Sequence, residues 1–150
     1  MPNVVFDASS IVGAVLKQNS TPERAFLLAC THDVLCLSPD VTAEIREVLG
    51  RPKFRRYITD ERRAQILEVM AAMALFVEPK LRVTDCRDAK DNKYLELALA
   101  SGAEMIVASD DDLLVLDPWR GNPGRPADGL CAVGRAEASR IEQYSFAAQR

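Results

Sequence analysis

The stretch RDAKDNKYLELALASGAEMIVASDDDLLVL, residues 87–116, does most to decide the fold. Apolar residues recur at helical spacing after Asp91, so residues 88–101 are predicted to form a helix. The apolar run that follows predicts a buried strand over residues 104–109, and Asp110 comes directly after it. A helix, a buried strand and an acid in this order predict one repeat of a parallel α/β sheet.

The same alternation of strands and helices extends through the rest of the chain. A hydroxyl residue followed by proline marks two helix starts, at Thr21-Pro22 and at Ser38-Pro39. The predicted strands are 3–6, 34–37, 75–77 and an edge strand at 130–133, and the predicted helices are 9–16, 22–30, 39–49, 60–73 and 137–148. Residues 113–116 are predicted as a helix or turn, and residues 118–129, with three prolines and three glycines, as a loop. The pattern predicts a single α/β domain over residues 1–150, with a central, mostly parallel sheet and helices on both faces.

The composition indicates a globular protein that does not enter a membrane. Apolar residues make up 48% and charged residues 27% of the chain, and no apolar run approaches the roughly 20 residues that span a bilayer. The N-terminus lacks a basic segment ahead of a long apolar one, so we predict no signal peptide and a cytoplasmic location. The four cysteines form no C-x-x-C pair, and each is expected to be a small buried residue.

Acidic residues stand where α/β proteins place their ligand sites. Asp7 directly follows the first predicted strand, and Asp110 directly follows a later one. Ligands of open α/β sheets bind beyond the carboxyl ends of the strands, so both acids are expected at the same edge. Glu44 lies at the margin of the apolar face of its helix, and Asp91 lies on the apolar stripe of another. A carboxylate at a buried face is costly unless a partner or a cation meets it.

Each of these acids taken alone has an ordinary structural explanation. A strand-end aspartate is often a helix cap or turn residue, Glu44 could pair with an arginine, and Asp91 could interact with the helix dipole. Asp88 is predicted to be a helix cap and Asp111 to face water, whereas Asp112 is a plausible outer ligand.

Together the acids can form an all-oxygen site, which suits Mg²⁺ or Mn²⁺. One ion in such a site can activate a water and neutralise a phosphate oxygen, and two ions about 4 Å apart can stabilise the attacking and leaving oxygens. A pair of histidines acting as acid and base is excluded, because the chain has a single histidine. The net charge of −3 does not by itself indicate nucleic-acid binding.

Basic residues are concentrated in the segment from 46 to 63. Arg51, Lys53, Arg55 and Arg56 are the candidate RNA contacts in it, because closely spaced cations can hold a phosphodiester backbone. A solvated surface, or a contact with an acidic partner, is the competing explanation for each of them.

Three blocks of the sequence carry a resemblance to a known family. They are VVFDASSIVGAVL (4–16), SPDVTAEIREVLGRPKF (38–54) and the stretch 87–116 quoted above. The first offers a strand, an Asp and a helix, the second a helical Glu, and the third an Asp-x-x-Asp-Asn start, an Ala-rich helix, a strand and Asp-x-Asp-Leu. In this order, over residues 3–116, the blocks resemble the PIN domain, and within it the toxin-like branch of bacterial toxin–antitoxin systems.

The resemblance implies a metal-dependent ribonuclease with a three-layer α/β/α fold. It implies that Asp7, Glu44, Asp91 and Asp110 are the catalytic metal ligands, that Asp112 is a supporting acid, and that Asn92 and Ser9 help to orient the site. It also implies cleavage of RNA by an activated water, a homodimer, and inhibition by a cognate antitoxin whose segment fills the active-site groove.

Two features depart from the family pattern. Ser9 stands where many relatives have a longer Asn, and residues 122–128 are inserted ahead of the last predicted strand. The alternatives are an RNA-processing nuclease of the same fold, or a non-catalytic protein-binding module, against which the complete set of acids argues. A dehalogenase-type phosphatase would need Asp-x-Asp after the first strand, and a receiver domain a second acid beside Asp7; Phe6, Ala8 and Ser9 supply neither.

Overall fold

The computed structural model describes residues 2–119 and 131–135. The strands are β1 (Asn3–Phe6), β2 (Val34–Leu37), β3 (Leu75–Phe76), β4 (Met105–Val107) and β5 (Ala132–Gly134). The helices are α1 (Ala8–Leu16), α2 (Thr21–His32), α3 (Pro39–Leu49), α4 (Asp60–Met73), α5 (Asn92–Ser101) and α6 (Asp111–Leu114). Short 3-10 turns lie at Pro52–Phe54 and Ala89–Asp91. The predicted strands and helices within these ranges are therefore present, with bounds that differ by a few residues.

The strands form one sheet in the order β3-β2-β1-β4-β5, and every pair of neighbours is parallel. The chain moves outward from β1 to β3 and then crosses back to β4. Because such crossovers are right-handed, the helices before β3 and the helix α5 lie on opposite faces of the sheet. The prediction of a three-layer α/β/α fold is confirmed. Strand order reverses between β1 and β4, which makes their carboxyl ends the expected place for a ligand.

Local sequence signals explain where the helices begin and end. Ser38 caps α3 as predicted, and Thr59 caps α4, because each hydroxyl accepts from the backbone N–H of the third residue of its helix. The predicted cap at Thr21 is wrong: Ser20 caps α2 by accepting from the N–H of Glu23, so Thr21 is already helical. Gly102 ends α5 with φ of 66°, a left-handed conformation that glycine adopts without strain.

The core is formed by the sheet and the helix faces that pack on it. Val5, Ile106 and Leu95 are fully buried at its centre. All four thiols are free, and those of Cys36, Cys86 and Cys131 are buried as predicted. Cys30 is only half-buried, so the prediction of a buried residue is wrong there; in α2 the buried positions are Ala25 and Ala29.

The C-terminal part is only partly described. Strand β5 confirms the predicted edge strand, one residue further along than its predicted end, while residue 130 lies outside the described residues. Trp119 is buried and pairs with Cys131 through two backbone hydrogen bonds, so the chain on either side of residues 120–130 is held together. Most of the predicted loop 118–129 and the whole predicted helix 137–148 lie outside the described residues. Across the described residues, no helix is long and apolar enough to cross a membrane.

Candidate active site

An acidic cleft of about 200 Å³ lies at the carboxyl ends of β1 and β4. Its acidic lining consists of Asp7, Glu44, Asp88, Asp91 and Asp110. The structure therefore brings all four predicted acids together and adds Asp88, which the sequence pattern had explained as a helix cap. Arg51, Lys90 and Tyr94 also line this cleft, together with Ala8, Ser9 and Val48.

Asp7 is fixed in place by the backbone on both sides. It follows β1 and caps α1, and its Oδ1 accepts from the N–H of Ser10 at 2.7 Å. Its Oδ2 accepts from the N–H of Ser109, beyond β4, at 3.0 Å. The side chain is only 4% exposed, and this burial raises the pKa of Asp7 although the hydrogen bonds to Ser10 and Ser109 oppose the rise. Asp7 is therefore a helix cap, which was one explanation offered for a strand-end aspartate, and it is also a rigidly held residue of the cleft.

Glu44 reaches the cleft from α3 and is held through one of its oxygens. Its Oε2 accepts a short hydrogen bond from the hydroxyl of Tyr94 and lies 3.1 Å from Nζ of Lys93. The salt bridge considered from the sequence is therefore present, but it is made by a lysine instead of an arginine. Lys93 and Tyr94 both belong to α5, so this contact joins α5 to α3 across the floor of the cleft.

Asp91 places a buried carboxylate oxygen among the other acids of the cleft. It ends the 3-10 turn before α5, and its buried Oδ2 has no hydrogen-bond partner among the residues that the structure describes. The pKa of Asp91 is raised to about 6, first by burial and then by the negative charges of Asp110, Asp88, Asp7 and Glu44, in that order. A buried carboxylate oxygen surrounded by like charges is a position that a cation would stabilise.

Asp88, Asp110 and Asp112 bring carboxylate oxygens within 4.8 Å of one another. Asp110 caps α6 by accepting from the N–H of Asp112 at 2.8 Å, and Asp88 accepts from the N–H of Lys90 at 3.1 Å. The side chain of Asp112 forms an ion pair with Arg87 at 2.9 Å. Asp112 therefore lies beside the cleft, where it is neutralised by a side chain of this chain.

These residues fit a hard divalent cation. The donors are carboxylate oxygens, the ligand type that Mg²⁺ and Mn²⁺ prefer. The unpartnered Oδ2 of Asp91 and the mutual repulsion that raises its pKa are what a cation would relieve. Asp7, Asp88, Asp91 and Asp110 line the cleft, and among the described residues no basic side chain forms a hydrogen bond with any of them.

The two remaining residues that the resemblance implied have different surroundings. Ser9 is exposed in the first turn of α1 and lines the cleft. Asn92 is buried, and its Oδ1 accepts from the N–H of Cys86 at 2.9 Å. Asn92 therefore anchors the segment before α5 and does not line the cleft itself.

Of the four candidate RNA contacts, Arg51 alone lines the cleft. It follows α3 and forms two hydrogen bonds, of 3.1 and 3.0 Å, with the carboxylate of Glu47. Lys53 lies 5.0 Å from the ring centre of Phe54, and Arg55 and Arg56 are exposed nearby. Arg51 therefore places part of the basic segment at the edge of the acidic cleft, and Lys53, Arg55 and Arg56 lie on the surface beyond it.

Sequence reasoning missed four polar residues in or beside the cleft: Asp88, Lys90, Lys93 and Tyr94. Lys93 and Tyr94 had been treated as parts of a helix, and Asp88 as its cap. Asp88 precedes Asp91 by three residues, a spacing that places both side chains on one side of a helical turn, so it could have been found. No pattern in the sequence links Tyr94 to Glu44, because they are 50 residues apart.

The comparisons with known proteins agree with this geometry. The family model of the PIN domain matches residues 3–112, which include every acid of the cleft. The uncharacterised protein MJ1680 of Methanocaldococcus jannaschii is 30% identical over 115 residues, which are 75% of this chain and 74% of that protein. A chain in the crystal structure of VapBC2 from Rickettsia felis, bound to a DNA fragment from its promoter, has the same fold. It matches with a TM-score of 0.51 and 12% identity, covering 74% of this chain and 90% of that chain. This chain therefore belongs to the PIN domain family.

Proposed function

We propose that this chain is a metal-dependent endoribonuclease, and that it is the toxin of a toxin–antitoxin pair. PIN domains are generally nucleases, which supports a hydrolase of phosphodiester bonds. The observation that carries the proposal is the acidic cleft, in which a buried oxygen of Asp91 has no partner and the pKa of its carboxyl is raised to about 6. Such a cluster destabilises the folded protein unless it binds a cation.

The residues of the cleft have distinct parts in the proposed reaction. A divalent ion, when bound, supplies a charge that makes a water easier to deprotonate and offsets the charge of a phosphate oxygen. Asp7, Glu44, Asp91 and Asp110 would hold the cation, and the backbone hydrogen bonds to Asp7 keep its oxygens in one orientation. Arg51, at the rim, is placed to pair with a phosphate of the substrate.

Cleavage of a mixed-sequence RNA tests this proposal directly. Purified protein is incubated with Mg²⁺, with Mn²⁺ or with EDTA, beside the variants Asp91→Asn and Asp111→Asn. Asp111 is an exposed acid outside the cleft, so its amide variant is the matched control for loss of one negative charge. Metal-dependent cleavage that is lost in Asp91→Asn and kept in Asp111→Asn supports the nuclease. Equal cleavage by all three proteins, or cleavage in EDTA, contradicts it.

The partners follow from the same proposal. RNA is the substrate, and Arg51, Lys53, Arg55 and Arg56 hold its backbone. The likeness to a chain of the VapBC2 structure supports an antitoxin protein as the regulatory partner. We place the activity in the cytoplasm and expect a homodimer, which light scattering of the purified protein would detect.

A non-catalytic protein-binding module is the second candidate, and one observation favours it. A cavity of about 690 Å³ lies between α1, α2 and α4, away from the acids of the cleft, and the exposed side chains of Leu27, Val69 and Met73 line it. Apolar side chains exposed together often mark a protein contact. The cleavage assay separates the two candidates, because a pure binding module leaves RNA intact with either metal.

A further inference from the structure

The hydroxyl of Tyr94 joins two elements that carry acids of the cleft. Tyr94 is 2% exposed, so its hydroxyl is isolated from bulk water. The oxygen accepts from the N–H of Ala8 at 3.0 Å, and the proton is donated to Oε2 of Glu44. Ala8 is the residue after Asp7 and begins α1, while Glu44 belongs to α3. A single buried oxygen therefore connects the position of Asp7 to that of Glu44.

The direction of the two hydrogen bonds made by the hydroxyl of Tyr94 is fixed. A backbone N–H can only donate, so the hydroxyl of Tyr94 accepts there and has its single proton left for the carboxylate of Glu44. Bonds that follow one another in this way polarise one another and hold their members in one geometry.

Local structure gives the N–H of Ala8 few other acceptors. The first N–H groups of a helix have no partner within the helix, and the cap residue Asp7 accepts from Ser10 and from Ser109 instead. Tyr94, which is 86 residues away in sequence, supplies the missing acceptor. The hydroxyl of Tyr94 therefore satisfies an N–H group at the start of α1 and also holds Glu44 in the cleft.

We propose that Tyr94 is a positioning residue, which holds Glu44 at the distance from Asp7 that cation binding requires. This inference rests on the proposed metal-dependent function, because it assigns Glu44 a part in holding the cation. Tyr94 does not need to touch the substrate or the ion. Hydrogen bonds that orient metal ligands typically change metal affinity or activity by roughly 10- to 100-fold when removed, which is the effect expected here.

The test is Tyr94→Phe in the full chain, with Mn²⁺ alone as the probe. The variant keeps the ring that packs in the core and removes only the hydroxyl. Free Mn²⁺ is measured by electron paramagnetic resonance during a titration without RNA. We expect the dissociation constant of Mn²⁺ to rise by about 10- to 100-fold. Tyr57→Phe is the matched control, because it removes the same atom from an exposed tyrosine and is expected to bind Mn²⁺ as the wild type does.

A double-mutant cycle with Glu44→Gln separates positioning from general destabilisation. If Tyr94 acts through Glu44, its substitution has little further effect on Mn²⁺ affinity once Glu44 has been replaced. Additive effects of the two substitutions would overturn the inference, as would wild-type affinity in folded Tyr94→Phe. Thermal unfolding of each variant verifies that the comparison is made between folded proteins. A wild-type protein that binds no Mn²⁺ would overturn the proposed function together with this inference, whereas failure of the cycle alone leaves the nuclease intact.

Discussion

Asp91→Asn is expected to stabilise the metal-free protein at neutral pH. The pKa of Asp91 rises from an ordinary 3.8 to about 6 in the folded protein, first because of burial and then because of Asp110 and the other acids. When a carboxyl has a higher pKa in the folded state, its ionisation favours unfolding. The penalty is absent at pH values below 3.8, grows up to about pH 6, and stays constant above that. Asparagine does not ionise, so the variant does not have this penalty.

The size of the gain follows from the same pKa. A rise from 3.8 to about 6 corresponds to roughly 3 kcal/mol if it is fully realised. Asp91 is partly exposed to solvent, and salt screens the neighbouring carboxylates, so we expect about 1–2 kcal/mol. For a protein of this length, that corresponds to an increase of about 2–8 °C in the melting temperature.

Thermal unfolding in EDTA at about pH 8 and about pH 4 measures this effect, since the charge is present only at the higher value. Asp91→Asn should melt above the wild type at the higher pH and together with it at the lower one. The control Asp111→Asn, at an exposed position, should stay within about 0.5 kcal/mol of the wild type at both. A lower melting temperature for Asp91→Asn at the higher pH, or an equal increase at both, would refute the electrostatic argument.

Three further predictions concern other residues of the site. Asp7→Asn should also lose metal-dependent cleavage. It should gain less stability than Asp91→Asn, because the amide nitrogen of asparagine would face a backbone N–H donor, of Ser10 or of Ser109. A melting temperature as high as that of Asp91→Asn would contradict this. Lys93→Gln removes the ammonium group that lies 3.1 Å from Glu44. The variant should bind Mn²⁺ roughly 3- to 10-fold more tightly in the electron paramagnetic resonance titration. Weaker binding would show that Lys93 mainly orients Glu44. Arg55→Ala should weaken RNA binding and lower the slope of log affinity against log salt by about 1, measured by fluorescence anisotropy. The control is Arg24→Ala, which removes an exposed arginine of α2 outside the basic segment. Equal slopes for the two variants would mean that Arg55 belongs to a solvated surface.

The fold and the main acids could be predicted because they depend on local signals. A buried strand followed by an aspartate is visible in the sequence at Asp7 and at Asp110, and parallel pairing then brings the two strand ends together. Glu44 and Asp91 were visible as carboxylates on apolar helix faces. The position of Glu44 follows from the period of α3, whereas Asp91, predicted on the apolar stripe of the helix, lies in the 3-10 turn directly before α5.

What the sequence could not show is which residues neutralise these acids. Asp88 does cap a turn, as its pattern predicts, yet the same side chain lines the cleft. Tyr94 belongs to the apolar stripe of α5, and nothing local indicates that its hydroxyl bonds Glu44. Arg87 likewise pairs with Asp112 across 25 residues of sequence. These contacts depend on the packing of helices, so they are set by the tertiary structure alone.

The basic partners also decide where the attraction for a cation is strongest. Glu44 is already neutralised in part by Lys93, and Asp112 by Arg87, so binding a metal there means displacing or sharing an existing charge. Asp91 has no such partner at its buried oxygen and is repelled by the acids around it. A cation beside Asp91 would relieve this repulsion, whereas Lys93 and Arg87 already offset part of the charge of Glu44 and of Asp112. We therefore expect the proposed cation to bind at the unpartnered oxygen of Asp91.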